Sequence, residues 1–286
     1  MHYTNLLMPR RRWQPTVRVA NEVAAVTLQE RHVAELYAPS RPGVLPQMNQ
    51  RLIVALDVPD VQRARDIVAQ LDGTVSFFKI GMWLLFKKET DALIDDLVGA
   101  GKQVFLDYKM YDIGETVKRG VEAAAKRGIS FVTVHGDEAI MKAAAEGRAG
   151  SDLKIFAITV LTSLNDSALH GMGYRVGVQD LISLRVALAL KCGCDGIIAS
   201  ASDDPDSIRR LAGSDSLLIA TPGVRMAGGK TDDHQRSADP ATAISKGADY
   251  LVVGRPILEA PDLAARAHEI IAEMERGWRA RLSTPV

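Results

Sequence analysis

Short apolar runs alternate with longer stretches of helical periodicity eight times along this chain, and no other feature limits its possible folds as strongly. The apolar runs cover residues 52–56, 76–80, 103–106, 131–134, 155–160, 196–199, 217–220 and 250–253. Helical spacing covers 61–71, 90–100, 116–127, 139–149, 178–191, 206–211, 241–246 and 263–276, with Gly, Pro and Asp as punctuation. Because the runs are apolar almost throughout, rather than at every second position, they read as strands buried on both faces. That is the pattern of a parallel sheet covered by helices. Eight units of about 25 residues, about 235 in all, match a single-domain α/β fold, the closed (β/α)8 TIM barrel. A doubly wound open sheet is the alternative, and the lack of G-x-G-x-x-G after the first strand counts against it.

The barrel is expected to occupy residues 49–286. Residues 1–48 differ in character: Arg10, Arg11 and Arg12 form a basic run, Pro15, Pro39, Pro42 and Pro46 follow, and helical periodicity is confined to 19–37. This segment reads as a disordered extension or a misassigned start, since Met48 stands directly before the first strong strand. A targeting segment or a partner-binding arm is the alternative.

With 47% apolar residues the chain can fill a large core. Its 35 basic and 35 acidic side chains cancel, so no nucleic-acid or membrane partner is expected, and any affinity for anions must be local. No run approaches the roughly 18 to 20 apolar residues that span a bilayer. The two cysteines, Cys192 and Cys194, sit two apart at a helix-to-strand turn, where neither a disulfide nor a four-ligand zinc site fits. A cytoplasmic location is the expectation.

Polar residues fall at particular places in this pattern. The first strand ends in Asp57, the second carries Lys79, and the third ends in Asp107 with Lys109 and Asp112 just beyond. All five therefore gather at the carboxyl ends of consecutive strands, the face on which barrel active sites are built. Singly, each would serve ordinarily in a salt bridge or helix cap. Together, alternating in sign, they suggest an ionised network in which each charge offsets the desolvation of its neighbours. A lysine held between carboxylates stays protonated and can act as a general acid, while a fixed carboxylate disfavours a second anion beside it. Such a site suits loss of carbon dioxide followed by protonation of the vacated carbon.

A second constellation follows the last two strands: Thr221-Pro222-Gly223-Val224-Arg225, then Gly254-Arg255-Pro256. Loops after strands seven and eight are the usual phosphate cradle of this barrel, with glycine exposing backbone N–H groups and arginine supplying a forked cation. The following stretch, 226–237, is rich in Gly, Asp and Lys, and reads as a mobile lid.

With these motifs in order, the chain resembles the orotidine 5′-phosphate decarboxylase family from about Arg51 to Ala260. The resemblance rests on Ala55-Leu56-Asp57, Phe78-Lys79-Ile80-Gly81, the segment from Leu106 through Asp107, Lys109 and Asp112 to Ile113, Val160-Leu161-Thr162-Ser163, and the two loops above. It implies a cofactor-free, metal-free lyase that makes uridine 5′-phosphate from orotidine 5′-phosphate, working as a homodimer. Asp57 would bind ribose hydroxyls, Lys79 would join the charged network, Asp107 would lie beside the substrate carboxylate, and Lys109 would protonate C6. Asp112, with Ile113 and Thr116, would enter the neighbouring subunit's site. Thr162, helped by Ser163, would meet the pyrimidine edge. Arg225, Gly254 and Arg255 would hold the 5′-phosphate, with Pro222 and His234 also among the substrate-binding residues. The chain departs from the family pattern at Tyr111, Gly114 and Glu115, and at His234, which stands where a phosphate-contacting glutamine is expected unless a one-residue shift gives that place to Gln235. Two other readings are metal-dependent sugar-phosphate decarboxylases or synthases sharing D-x-K-x-x-D, which carry an acidic ligand in place of Lys79, and a non-catalytic nucleotide-binding module.

Overall fold

The computed structural model describes residues 46–203, 205–212, 217–226 and 238–283. The arginine run, the periodic stretch 19–37 and most of the lid segment, His234 and Gln235 included, lie outside the described residues.

Eight parallel strands close into a barrel in sequence order, each paired with the next and β8 with β1. They are β1 (Leu52–Ala55), β2 (Phe77–Gly81), β3 (Gln103–Met110), β4 (Phe131–His135), β5 (Lys154–Ile158), β6 (Gly196–Ile198), β7 (Leu218–Pro222) and β8 (Tyr250–Val253). Helices α1 (Val61–Gln70), α2 (Met82–Leu85), α3 (Thr90–Gly99), α4 (Gly114–Lys126), α5 (Glu138–Gly147) and α6 (Asp166–Gly171) cover the first half. The second half carries α7 (Val178–Lys191), α8 (Pro205–Ala212), α9 (Pro240–Ser245), α10 (Arg255–Leu258) and α11 (Leu263–Ser283). Local chemistry sets several starts. Asp60 accepts from the Arg63 N–H at 2.8 Å to cap α1, and Asp239 accepts from the Thr242 N–H at 2.9 Å to cap α9, whose first turn carries Pro240. Among the described residues, no helix is long and apolar enough to cross a membrane.

The strand alternation makes two cores. Side chains on one phase, among them Val54, Phe78, Val104 and Val132, pack outward under the helices. Those on the other phase, Ile53, Phe77, Phe105, Phe131, Phe156 and Tyr250, fill the lumen. Phe131 is the hub of that layer, with ring centroids 4.8 Å from Phe77, 4.5 Å from Phe156 and 5.1 Å from Tyr250. Two residues further along each strand, the same phase brings Lys79 above Phe77, Asp107 above Phe105 and Thr133 above Phe131. An aromatic floor thus lies directly beneath the charged mouth.

Two boundaries differ instructively from the periodic reading. Strand β3 runs to Met110 rather than 106, because Thr133 supplies its side chain to a stretch that has lost regular pairing with β4. Helix α11 runs seven residues past 276, straight through Gly277. A Cβ there would lie 2.3 Å from the Ala241 carbonyl oxygen, so glycine permits a close approach to α9 rather than ending the helix. The short helices α2, α6 and α10 are too brief for periodicity to reveal.

The extended α11 also closes the amino-terminal end of the barrel. Asp249, buried before β8, accepts from the Ile219 N–H at 2.8 Å and from Arg209, with Arg51 and Arg281 each 3.7 Å away. The Trp278 ring lies between the Arg51 and Arg281 guanidinium groups, 5.1 Å from each. One buried carboxylate therefore holds three cations from three elements. Asp249→Asn is expected to lower unfolding free energy by about 3 to 5 kcal/mol, because it removes the buried charge on which those guanidinium groups converge. Urea denaturation measures this, and a loss no greater than that of an exposed control such as Asp66→Asn would contradict it.

Candidate active site

At the carboxyl-terminal mouth, β1, β2 and β3 bring four charges into one chain of contacts. The Lys79 ammonium donates to Asp57 Oδ1 at 3.0 Å and lies 3.4 Å from Asp107 Oδ2. Lys109 Nζ donates to the other Asp107 oxygen at 2.8 Å. Only 9% of the Lys79 side chain is exposed, so this cation depends on its two carboxylates. Burial pushes the Asp107 carboxyl upward, but Lys79, then Lys109, and then hydrogen bonds from Lys109 and Thr133 outweigh it and hold the group below its ordinary value. Asp107 is therefore ionised across the physiological range.

The backbone at Lys109 makes this geometry possible. Its φ is +50°, in the left-handed region that a lysine seldom occupies. Pairing with β4 shifts here: Leu106 opposes Val132 and Met110 opposes Val134, so three residues of β3 face Thr133 alone. Thr133 Oγ1 accepts the displaced Lys109 N–H at 2.9 Å and donates to Asp107 Oδ1 at 3.0 Å. One hydroxyl thus braces both the strained backbone and the carboxylate. Gly81 is equally exacting. A Cβ on it would stand 2.9 Å from Lys79 Nζ and 3.1 Å from Asp57 Oδ1, within the ion pair itself. Neither residue was singled out by charge pattern, although Thr133 shares the lumen phase with Phe131 and could have been found that way.

Asp112 does not join this network within its own chain. It is exposed, accepts its neighbour Ile113's N–H at 2.7 Å, and forms no ion pair with the described residues. Tyr111 beside it lies on the His135 ring, centroids 4.5 Å apart. Ile113 is 73% exposed and Thr116, in the first turn of α4, is exposed as well. Met82, Trp83 and Phe86 extend the apolar surface at the end of neighbouring β2.

The remaining residues lie around the same mouth. Thr162 and Ser163 occupy a tight turn after β5, closed by Leu164 N–H donating to Leu161 O at 2.9 Å. Pro222 ends β7, Gly223 adopts φ +76°, and the Arg225 N–H donates to the Ala238 carbonyl at 3.0 Å across the lid segment's two ends. Gly254 opens α10 ahead of Arg255. A Cβ on Gly254 would lie 3.6 Å from Ala55 Cβ and 4.0 Å from Asp57 Oδ2, which puts the phosphate-type loop against the charged network. Among the described residues, no group of three or more His, Cys, Asp or Glu side chains is placed to hold a metal ion.

Acid should expose the role of Asp107 in stability. Its folded pKa lies below the unfolded value of about 3.9, so its contribution is complete above that value and is lost as pH falls through the folded one. The stability difference between the parent chain and Asp107→Asn should therefore be constant above about pH 5 and shrink as pH falls below the ordinary carboxylate value of about 3.9. Urea unfolding at stepped pH measures it, and a difference independent of pH would contradict the assignment.

A family profile described as Orotidine 5'-phosphate decarboxylase / HUMPS family matches residues 50–270. An orotidine 5′-phosphate decarboxylase of Afipia carboxidovorans is 48% identical over 225 residues, covering 79% of this chain and 94% of the relative. A Rhodopseudomonas palustris protein of the same name is 47% identical over 228 residues, covering 80% and 96%. The crystal structure of the Lactobacillus acidophilus orotidine 5′-phosphate decarboxylase superposes with a TM-score of 0.69 at 33% identity, covering 79% of this chain and 99% of that one. With the barrel, the alternating charges at its mouth and these similarities agreeing, the chain belongs to the orotidine 5′-phosphate decarboxylase / HUMPS family.

Proposed function

We propose that this protein converts orotidine 5′-phosphate to uridine 5′-phosphate and carbon dioxide, as a carboxy-lyase of pyrimidine nucleotide synthesis. The observation that carries this reading is the Asp57–Lys79–Asp107–Lys109 chain of contacts, in which a lumen carboxylate held ionised is flanked by two ammonium groups. Asp107 lies beside the substrate carboxylate, where like charge raises the energy of the bound anion, and this repulsion is relieved when the carboxyl group leaves as neutral carbon dioxide and its negative charge passes to C6. The C6–carboxylate bond breaks, its electron pair stays on C6, and Lys109 Nζ stabilises that pair and transfers a proton to it. Lys109 is then reprotonated from solvent. No step calls for a metal or cofactor, and the Lys79 ammonium stands between the carboxylates where a divalent ion would otherwise bind, as in the metal-dependent relatives.

Binding roles follow the layout. Asp57 takes ribose hydroxyls while paired with Lys79; Thr162 and Ser163 meet the pyrimidine edge; Pro222, Arg225, Gly254 and Arg255 surround the phosphate. Asp112 serves the site of a second copy of the chain, with Ile113 and Thr116. Its lack of an ion pair with the described residues supports this homodimer, as does the exposure of the apolar side chains of Met82, Trp83, Phe86, Tyr111 and Ile113 at the ends of β2 and β3. The activity resides in residues 49–286. The two buried free thiols, Cys192 and Cys194, suit a reducing cytoplasm.

Incubating the full chain with orotidine 5′-phosphate and a chelator, and following loss of the orotate chromophore, tests the reaction directly. Turnover unaffected by the chelator is expected, and absence of turnover overturns the reading. Lys109→Ala should lower kcat by at least about 10^3-fold, since it removes the proton donor. Mixing it with Asp112→Asn, also inactive alone, should restore part of the activity through hybrid dimers carrying one intact composite site. No recovery, with subunit exchange demonstrated, would return Asp112 to its own subunit. Gly81→Ala should leave the melting temperature within a few degrees while reducing kcat/KM by about 10^2-fold or more, because the added methyl displaces the Lys79–Asp57 pair. Unchanged kcat/KM would show that the pair tolerates the shift.

A further inference from the structure

Helix α7 presents Leu181, Ile182, Val186 and Ala189 to the core, and Arg185 lies on the same buried stripe. Only 7% of this residue is exposed, and its guanidinium forms no ion pair with any described carboxylate. A buried cation without a counterion is costly, so its neutral hydrogen bonds should have a specific purpose. Nη1 donates to the Thr159 carbonyl, and Nη2 donates to the Tyr174 hydroxyl at 3.3 Å. Those acceptors flank one excursion, residues 160–173: Thr159 directly follows β5, and Tyr174 stands in the short stretch that leads into α7. Within it lie the turn carrying Thr162 and Ser163, and helix α6. The guanidinium therefore closes the excursion at its base.

Its surroundings hold it firmly in that place. Thr159 is fully buried and donates its hydroxyl to the Ile198 carbonyl at 2.8 Å, which joins the exit of β5 to β6. On the other side, Gly136 follows β4, and a Cβ there would come within 2.7 Å of Arg185 Cδ and 2.4 Å of the Ile158 carbonyl oxygen. A second tie joins the excursion to the start of α7: Asp166, in the first turn of α6, accepts from the Val178 N–H at 2.8 Å.

We infer that Arg185 is a positioning residue for base recognition, bridging the two ends of the 160–173 excursion so that Thr162 and Ser163 meet the pyrimidine in a fixed orientation. This rests on the proposed reading of Thr162 and Ser163 as the base-facing residues. Lysine at 185 keeps the charge but, as a single point donor, cannot hold both acceptors in the planar fork.

Two competitive ligands separate this role from general support of the fold: uridine 5′-phosphate has ribose, phosphate and base, whereas ribose 5-phosphate lacks the base. With the full chain, Arg185→Lys should weaken inhibition by uridine 5′-phosphate by at least about tenfold while leaving that by ribose 5-phosphate within about twofold. Tyr174→Phe, which removes one acceptor and little volume, should shift the same constant alone and by less. Equal weakening of both ligands, or no weakening of either, by Arg185→Lys overturns the inference. If that variant does not fold, Tyr174→Phe decides in its place, and unchanged uridine 5′-phosphate inhibition overturns the inference. Thr162→Ala tests the underlying reading separately: if it leaves both constants unchanged, the assignment of the turn to the base fails, whatever Arg185 does.

Discussion

A lysine ammonium almost withdrawn from water sets the terms for the rest of this molecule. Lys79 points into the barrel mouth from β2, and a cation in that position is tolerable only with carboxylates in contact. Asp57 arrives from the end of β1 and Asp107 from β3, so the balance of charge requires three adjacent strands in one register. Ala55 opposite Lys79, and Gly81 opposite Asp107, are the pairings that achieve it. Beneath them the Phe77, Phe105 and Phe131 rings exclude water from the floor and hold the strands at the spacing the ion pairs need.

The irregularity in β3 adds the reactive group to this frame. Ordinary extended geometry would place Lys109 on the same side as Asp107 but about two residue rises further along the strand. The left-handed backbone at Lys109 and the extra residues facing Thr133 bring its ammonium onto Oδ1 of Asp107, the oxygen that the Thr133 hydroxyl also reaches. Strain of this kind persists where surrounding bonds over-determine it, and the Thr133 hydroxyl makes two of those bonds. The same turn carries Asp112 away from the network and leaves it exposed, accepting only the N–H of its neighbour Ile113 among the described residues.

Arginines are used in contrasting ways at the two ends of the barrel. At the amino-terminal end, three of them converge on Asp249, and two of these, Arg51 and Arg281, also meet the Trp278 ring of α11; this is the face that serves stability in such folds. Near the mouth, Arg185 meets no carboxylate among the described residues and directs its donors to a carbonyl and a phenol at the two ends of one excursion. The first arrangement compensates charge, and the second fixes geometry.

The barrel, the ends of most strands and the charges at its mouth were legible from sequence, because burial on both faces makes strand runs continuously apolar and leaves polar residues conspicuous where the strands emerge. The residues of β8 were read without error, since Gly-Ala-Asp before it and Gly-Arg-Pro after it punctuate both ends. Gly277 misled the reading of α11, because periodicity records the preference of glycine to end a helix and not the neighbour it must admit. Thr133, Gly81 and Arg185 escaped for a related reason. A hydroxyl, a missing side chain and a buried cation acquire meaning only from atoms far away in the chain: Asp107 for the first, the Lys79–Asp57 pair for the second, and Thr159 with Tyr174 for the third. Sequence by itself determined the fold and the kinds of charge at the mouth, since both follow from local patterns of burial. Which oxygen faces which ammonium, and which carboxylate stands apart from the network, only the closed barrel decided, because those distances are set by strand register and by one left-handed residue.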